Sequence, residues 1–215
     1  MSEQEKKGTW LTDLAGMCKD TFILLVITVI AGLLLGLVYQ ITKDPIARQK
    51  ELAKQEACRE VFADAAVFSQ IDVAAYEGQG WLDAGFAKET IDEVMEAGSE
   101  TGEILGYVVT VTTKEGYGGD IRFTMGIRED GTLNGISLLE ISETAGLGMR
   151  ADEVLKPQFT DKKAERFEYT KSGSVSDYQI DAISGATITS NAVVNGVNAG
   201  MYYFQTQLKG GGTNE

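Results

Sequence analysis

The heptapeptide at residues 181–187, Asp-Ala-Ile-Ser-Gly-Ala-Thr, leads directly into an apolar run from Ile188 to Leu208. The spacing of that run predicts a helix with a core-facing stripe, so the heptapeptide lies at a helix N-terminus. Ser184 is predicted to be the N-cap, and Gly185 lets backbone approach a ligand closely. Thr187 then lies among amide N–H groups that have no intrahelical acceptor, a place that favours a phosphate. An ordinary helix cap without a ligand is the alternative.

The same heptapeptide resembles the flavinylation motif, Asp followed by Ser/Thr-Gly-Ala-Thr, of periplasmic FMN-binding domains. The resemblance implies that Thr187 carries FMN through a phosphoester and that Ser184, Gly185 and Ala186 shape the phosphate site. It implies that Asp181 is part of what the modifying flavin transferase recognises. By family analogy, that enzyme uses FAD and magnesium and leaves FMN on the threonine.

A second stretch, residues 143–148, Glu-Thr-Ala-Gly-Leu-Gly, resembles the other signature of this family, Glu-Thr-Pro-Gly-Leu-Gly. It is preceded, as in the family, by a Gly-Tyr-Gly-Gly loop at 116–119 and an Asp-Gly hairpin at 130–131. Ala145 replaces the proline, which predicts a less rigid loop because proline presets φ. The resemblance implies cofactor contacts from Glu143, Thr144, Gly146, Leu147 and Gly148, with Leu147 packed on the flavin ring.

Composition excludes several other classes of function. The net charge of −13 argues against nucleic acid, which requires clustered Lys and Arg. The chain has no histidine, which excludes histidine-ligated metals and histidine-based triads. The two cysteines, Cys18 and Cys58, flank the apolar span and are not expected to form a disulfide. We therefore predict no metal site, and redox chemistry would require an organic cofactor.

Residues Thr21–Ile41 form a charge-free run of 21 residues, enough for a helix to cross a bilayer core of roughly 30 Å. A cleaved signal peptide is the alternative, but the run is longer than usual and lacks a small-x-small cleavage site. Lys and Arg are more numerous after the span than before it, which favours a cytoplasmic domain by the positive-inside rule. That rule is weak for large domains, and the resemblance implies an extracytoplasmic domain at the cell (inner) membrane.

The remaining patterns predict an α+β fold, with one transmembrane helix followed by an antiparallel sheet with flanking helices. Asp44 is predicted to cap a helix that has Pro45 at its first position. The acidic residues between Ser69 and Glu103 are interpreted as a solvated face, with a patch for a partner or a cation as the alternative. Alternating residues from Ile104 onward predict three strands, with a hairpin at Asp130-Gly131. The predicted organisation is an N-terminal segment (1–20), a transmembrane helix (21–41), a helical connector and acidic region (42–100), an FMN-binding domain (101–208) and a flexible tail (209–215).

The family with these two signatures includes the G subunit of the Rnf electron transport complex and the C subunit of the sodium-translocating NADH:quinone reductase; the shorter chain favours the Rnf protein. Membership implies a membrane-anchored electron-transfer subunit of a ferredoxin:NAD oxidoreductase coupled to sodium or proton transport. The implied partners are the other membrane and peripheral Rnf subunits, a flavin transferase and membrane lipid. The alternatives are the quinone-reductase protein, an FMN-binding sensor or donor outside an ion pump, and a flavin-free scaffold domain. No catalytic residue can be named, so turnover by this chain alone is not expected.

Overall fold

A computed structural model describes residues 3–73 and 79–209, and it describes side chains from Gly16 onward, except that of Gln79. The chain divides into two compact units, 1–51 and 52–215. The predicted flexible tail, apart from Lys209, lies outside the described residues.

The first unit is helical and belongs to α1, which runs over Glu3–Val61. Gly16–Val61 holds an 18-residue window of mean hydropathy 2.8, and none of that window is buried within the protein. By length and composition, α1 is the one helix in the described part of the chain that could cross a membrane. An unburied apolar helix of this kind fits a membrane anchor, as the sequence predicted.

The prediction that a new helix begins at Asp44 was wrong. Pro45 lies inside α1, which continues through it without a break. Proline removes one i→i−4 hydrogen bond and strains the preceding turn, but long helical segments on both sides maintain the helix. The Asp44-Pro45 pair is therefore a local weakness in a continuous helix.

The second unit is built on a five-stranded antiparallel sheet whose spatial order, β1-β2-β3-β4-β5, is also its sequence order. The strands are Val67–Ile71, Glu89–Gly98, Ile104–Thr113, Ile121–Arg128 and Leu133–Glu140. The three strands predicted from alternation are β3, β4 and β5. At the predicted hairpin, Gly131 has φ +85° and the Asp130 carboxylate accepts a hydrogen bond from the Thr132 N–H at 2.9 Å.

The ten-residue strand β2 lies within the acidic stretch between Ser69 and Glu103. Asp92, Glu100 and Glu103 are exposed, as predicted for a solvated face, whereas Glu89 is buried. A bulge between Ile91 and Glu93 breaks the two-residue period, so Ile91 and Val94 are three positions apart although both are buried in the main core. Ala97 is buried on the opposite face, against the end of α1. Several of the acidic residues are paired. Asp92 contacts Arg122 at 2.9 Å and Glu93 contacts Lys54 at 2.7 Å.

Both faces of the sheet are covered by helix. On one face, α4 (Thr187–Tyr203) packs against β2, β3 and β4. On the other, Cys58, Val61 and Phe62, at the end of α1, pack against Ala97 and Val108. Short elements complete the unit: α2 (Gln79–Asp83), α3 (Ala151–Val154), two 3-10 turns (Gly148–Arg150 and Lys156–Phe159) and a parallel pair, β6 (Glu168–Thr170) and β7 (Gln179–Asp181).

Helix α4 carries the apolar stripe that the sequence predicted. Val193, Val197 and Phe204 are buried in the main core and Leu208 packs against it. The last turn, Phe204–Leu208, widens to a π-helix. The observed α+β architecture confirms the predicted fold class.

Candidate functional site

The turn before α4 differs from the predicted cap. The Ala186 N–H donates to the Ile183 carbonyl at 3.0 Å, and Gly185 occupies φ +80° within this turn. The Ala186 carbonyl accepts the first helical hydrogen bond, from the Ser190 N–H, so Ala186 is the N-cap. Ser184 lies two residues too early for its hydroxyl to cap the helix, and it is exposed. The prediction of Ser184 as N-cap was therefore wrong.

A different serine stabilises this turn. The Ser190 hydroxyl accepts a hydrogen bond from the Ile183 N–H at 2.9 Å and donates one to the Ala186 carbonyl at 2.9 Å. Ser190 is fully buried, so these two bonds satisfy polar groups that water does not reach.

Thr187 is the first residue of α4 and is half-buried. The N–H groups of a first helical turn have no intrahelical acceptor, and the aligned peptide dipoles place partial positive charge there. Within the described part of the chain, no side chain caps this N-terminus. The end of α4 therefore offers an accessible hydroxyl beside free donors, which is the arrangement that a phosphate prefers.

The second predicted motif lies beside this helix end. The Thr144 carbonyl accepts hydrogen bonds from the N–H groups of Leu147 and Met149, which folds residues 144–149 into a tight turn. Leu147 is 40% exposed, and a Cβ at Gly185 would lie 3.0 Å from its Cδ2 atom. Residues that are far apart in sequence thus form one wall.

Glu143 lies behind this wall, buried. Its carboxylate accepts a hydrogen bond from the Gly118 N–H at 3.2 Å and another from the Thr189 hydroxyl at 3.0 Å. A Cβ at Gly148 would meet the Thr189 hydroxyl at 2.6 Å, so the glycine permits this close approach. Glu143 therefore joins the 116–119 loop, its own loop and α4.

A cavity of about 500 Å³ lies between these segments. Its lining residues come from all three of them: Tyr117, Thr144, Leu147, Gly148, Gly185, Ala186, Thr187, Ile188 and Thr189. Tyr117, Leu147 and Ile188 supply apolar surface, while threonine hydroxyls and a helix N-terminus supply polar groups. A largely apolar pocket with a few convergent polar groups is typical of a cofactor site. These residues fit FMN, which has an apolar ring system at one end and a phosphate at the other.

Six of the predicted site residues line this cavity: Thr144, Leu147, Gly148, Gly185, Ala186 and Thr187. Glu143 is behind the wall, and Ser184 and Gly146 are exposed on the two loops. Sequence reasoning did not include Tyr117, Ile188 or Thr189. The Gly-Tyr-Gly-Gly string was the available signal for Tyr117, but only the fold shows that its loop meets the other two.

Asp181 lies at the end of β7, where the Gln158 side chain bridges its backbone. The Asp181 N–H donates to the Gln158 amide oxygen at 2.7 Å, and its carbonyl accepts from the amide nitrogen at 3.1 Å. One carboxylate oxygen of Asp181 is buried, and none of the described residues hydrogen-bonds to it. The backbone leading into the heptapeptide is thus fixed.

Two acidic residues lie near each other close to the 116–119 loop, and one of them contacts α4. The Glu115 carboxylate accepts a hydrogen bond from the Asn195 amide of α4 at 2.6 Å. The nearby Glu89 is buried and accepts one from the Thr113 hydroxyl at 3.1 Å. Burial, together with the charge of Glu115, raises the pKa of the Glu89 carboxyl.

Comparison with known proteins agrees with this geometry. A family model described as FMN-binding domain matches residues 116–201, which include all three cavity segments. A second model, described as RnfG N-terminal region, matches residues 15–61, which lie within α1 and include its apolar run.

Similarity to curated relatives extends over most of the chain. The G subunit of the Na⁺-translocating ferredoxin:NAD⁺ oxidoreductase complex of Acetobacterium woodii is 32% identical, over 87% of this chain and 91% of the relative. The G subunit of the proton-translocating ferredoxin:NAD⁺ oxidoreductase complex of Clostridium ljungdahlii is 34% identical, over 78% and 80%. The G subunit of the ion-translocating oxidoreductase complex of Methanosarcina acetivorans is 29% identical, over 92% and 99%.

The crystal structure of Shewanella oneidensis NqrC is similar at 21% sequence identity, with a TM-score of 0.48 over 69% of this chain and 84% of that one. The fold class itself is given by the sheet and helices described above. Three findings lead to the same assignment. The curated relatives are similar over most of the chain, two family models match it, and both sequence signatures line one cavity. The chain belongs to the RnfG family, the G subunits of ion-translocating Rnf oxidoreductase complexes, and contains an FMN-binding domain.

Proposed function

We propose that Thr187 carries FMN through a phosphoester and that the chain serves as a membrane-anchored electron-transfer subunit of an Rnf complex. The observation that carries this proposal is the position of the Thr187 hydroxyl, at an uncapped helix N-terminus in the wall of an apolar-lined cavity. FMN, when bound, supplies reversible redox chemistry. A phosphoester leaves its ring unmodified and prevents loss of the cofactor.

Each part of the cavity has a separate role in this proposal. The first N–H groups of α4 bind phosphate oxygens, and Gly185 and Ala186 keep that position open to them. Thr144 adds a hydroxyl, and the backbone around Gly148 approaches the cofactor closely. Leu147 and Ile188, 40% and 52% exposed, cover apolar ring surface and exclude water from it. Ser184 and Gly146 maintain the shape of the two loops.

Maturation requires a second protein in this proposal. A flavin transferase that uses FAD and magnesium would transfer FMN to the Thr187 hydroxyl. Asp181 and the exposed Ser184 are the parts of the heptapeptide that it would recognise.

The named relatives support the proposal that this chain works as a subunit of a larger complex. Two of them are subunits of ferredoxin:NAD⁺ oxidoreductase complexes that translocate Na⁺ or protons. We propose that this chain works in a complex of the same kind, held in the lipid bilayer by α1, with the other Rnf subunits as its redox neighbours. The FMN domain is proposed to lie on the extracytoplasmic side of the cell (inner) membrane.

The test is the intact mass and in-gel flavin fluorescence of the denatured full-length protein, expressed with and without a flavin transferase. We expect one added FMN residue, mapped to the peptide containing Thr187, only with the transferase. Thr187→Val, which keeps the shape of the side chain, should abolish the added mass, while Thr144→Val should retain it. Covalent FMN on the Thr187→Val protein, or an unmodified wild type beside a working transferase, would overturn the proposal.

A further inference from the structure

The loop at residues 116–119 is held rigidly, although much of it is exposed. A Cβ at Gly116 would overlap the Gly119 carbonyl oxygen, and one at Gly118 would overlap the carbonyl of Ser142. The Gly118 N–H is fixed by the buried Glu143 carboxylate at 3.2 Å. This close packing leaves the backbone little room to move on either side of residue 117.

That residue is Tyr117. Its side chain is 71% exposed and also lines the cavity. Among the described residues, none hydrogen-bonds to its phenol or stacks on its ring. A large aromatic side chain that a rigid loop holds in water, without partners of its own, gains no stability from its position. The position is useful if a ligand covers the ring.

The residues around Tyr117 indicate what kind of ligand would cover its ring. Leu147 and Ile188 line the same cavity and are also partly exposed. Thr187, at the helix end, faces the same space. A planar, extended aromatic group anchored at Thr187 would be flanked by all three apolar side chains. Offset stacking of a phenol on such a plane is favourable beyond the area that it buries.

We propose that Tyr117 is a ligand-binding residue that stacks on the isoalloxazine ring of the flavin, and that the Gly116–Gly119 loop exists to hold it there. This inference rests on the proposed function for the identity of the ligand. It adds the residue that would contact the ring from the third segment of the cavity. It also assigns a purpose to the two tightly packed glycines.

The experiment uses the full-length protein in detergent and two probes. The first is the holoprotein loaded by a flavin transferase, whose flavin emission is compared at equal loading for wild type, Tyr117→Phe and Tyr117→Ala. A phenol stacked on an excited flavin donates an electron to it, and the electron returns in the dark, so emission is lost without net oxidation. We expect dim wild type and brighter Tyr117→Phe, because a phenyl ring is a poor donor.

The second probe is free FMN, titrated into unmodified protein made without a transferase. We expect Tyr117→Ala to raise the Kd by about three- to tenfold and Tyr117→Phe to leave it nearly unchanged, since a stacked aromatic pair contributes roughly 0.5–1.5 kcal/mol. Tyr178→Phe, which changes a tyrosine that does not line the cavity, is the matched control for both probes.

The outcomes separate the two proposals. Failure of covalent attachment appears as an unmodified mass in the wild type, and the free-FMN titration then decides the role of Tyr117 alone. Equal emission and equal Kd across wild type, Tyr117→Phe and Tyr117→Ala would overturn the stacking role even if Thr187 were fully loaded. An unchanged melting temperature in these variants excludes unfolding as the cause of any difference.

Discussion

The hydroxyl of Thr189 lies 3.0 Å from a carboxylate oxygen of Glu143, a residue 46 positions earlier in the chain. Both side chains are buried, and the second carboxylate oxygen receives the Gly118 N–H. One side chain thus connects all three segments that line the cavity. We infer that Glu143 positions the site from behind rather than contacting the cofactor itself.

The hydrogen bonds from the Gly118 N–H and the Thr189 hydroxyl to Glu143 predict that two substitutions of Glu143 differ in their effect on stability and FMN loading. Glu143→Ala leaves the buried Thr189 hydroxyl unpaired, which costs about 1–3 kcal/mol. It also releases the Gly118 N–H, which costs less because Gly118 is exposed to water. We expect a lower melting temperature and slow FMN loading by a limiting amount of flavin transferase. Glu143→Gln keeps an acceptor for Gly118 and a donor for Thr189, so it should load nearly as fast as wild type.

Thr189 provides an independent check on the same link. Thr189→Ser retains the hydroxyl and should load normally, whereas Thr189→Val removes it and should resemble Glu143→Ala. Equal loading rates for Thr189→Val and Thr189→Ser would show that the link does not position the site.

Two serines near the start of α4 should differ sharply in their effect on stability. Ser190→Ala leaves the buried Ile183 N–H without an acceptor and should lower the free energy of unfolding by about 1–3 kcal/mol. Ser184→Ala should change it by less than about 0.5 kcal/mol, because an exposed side chain that caps nothing contributes little. Chemical denaturation of both variants measures these free energies of unfolding. A larger loss of stability for Ser184→Ala would mean that Ser184 does cap the helix, as the sequence predicted.

Gly185→Ala should impair the site through the backbone. A non-glycine residue at φ +80° costs about 1–2 kcal/mol, and the new methyl would also press on Leu147. We expect a modest loss of stability and a strong loss of FMN loading, measured by mass. Gly173→Ala is the control, because Gly173 has φ +90° with nothing within 4 Å of a Cβ and no place in the cavity. Equal loading by both variants would contradict a role for Gly185 in shaping the site.

The stability of the FMN-binding unit should depend on the protonation of Glu89. Burial raises the pKa of this carboxyl above its usual value of 4.5, so the folded state binds its proton more tightly than the unfolded state does. The contribution of Glu89 to stability is thus favourable at low pH and is lost as pH rises from about 4.5 through the raised pKa. Glu89→Gln removes this loss, so its melting temperature relative to wild type should increase with pH.

Glu60 is the matched control, with the opposite sign. Partial burial opposes its ionisation, but hydrogen bonds from Lys156 and Ser137 outweigh that effect and lower its pKa. Its stabilising contribution is present above its unfolded pKa of 4.5 and is lost as pH falls through the lowered pKa. Because Glu60 is 47% exposed, Glu60→Gln should cost less than about 1 kcal/mol at neutral pH and nothing in acid. If the melting temperatures of the two variants, relative to wild type, changed with pH in the same direction, the opposite signs assigned to Glu89 and Glu60 would be contradicted.

The strands that could be predicted from sequence are those whose pattern is regular. Strands β3, β4 and β5 alternate cleanly, and Asp130-Gly131 has a turn preference of its own. The bulge near Asp92 interrupts the period of β2, and its abundant acidic residues resemble a surface segment, so only pairing with β3 shows it to be a strand. Pro45 was misleading because a local penalty does not decide where a long helix ends.

The candidate site was partly predictable for a similar reason. Thr187 and the 143–148 loop belong to recognisable strings, and both line the cavity. The cap was wrong because the turn at Gly185 delays the first helical hydrogen bond to Ala186, which residue preferences alone do not reveal. Tyr117 and Thr189 belong to the site through tertiary contacts, which arise only when the sheet brings three distant segments together.

The order of the strands also bears on when the site forms. Each strand of the sheet pairs with its neighbour in sequence, and the connections from β2 to β5 are short loops, which close quickly and at low entropic cost. The contacts that complete the cavity are much longer in range, spanning 46 residues from Glu143 to Thr189 and 80 from Glu115 to Asn195. We expect the sheet to assemble first and the site to close last, by docking of α4, without help from any cofactor. A transferase would then meet a finished surface rather than a nascent chain, and flavin attachment would serve as a check that folding is complete.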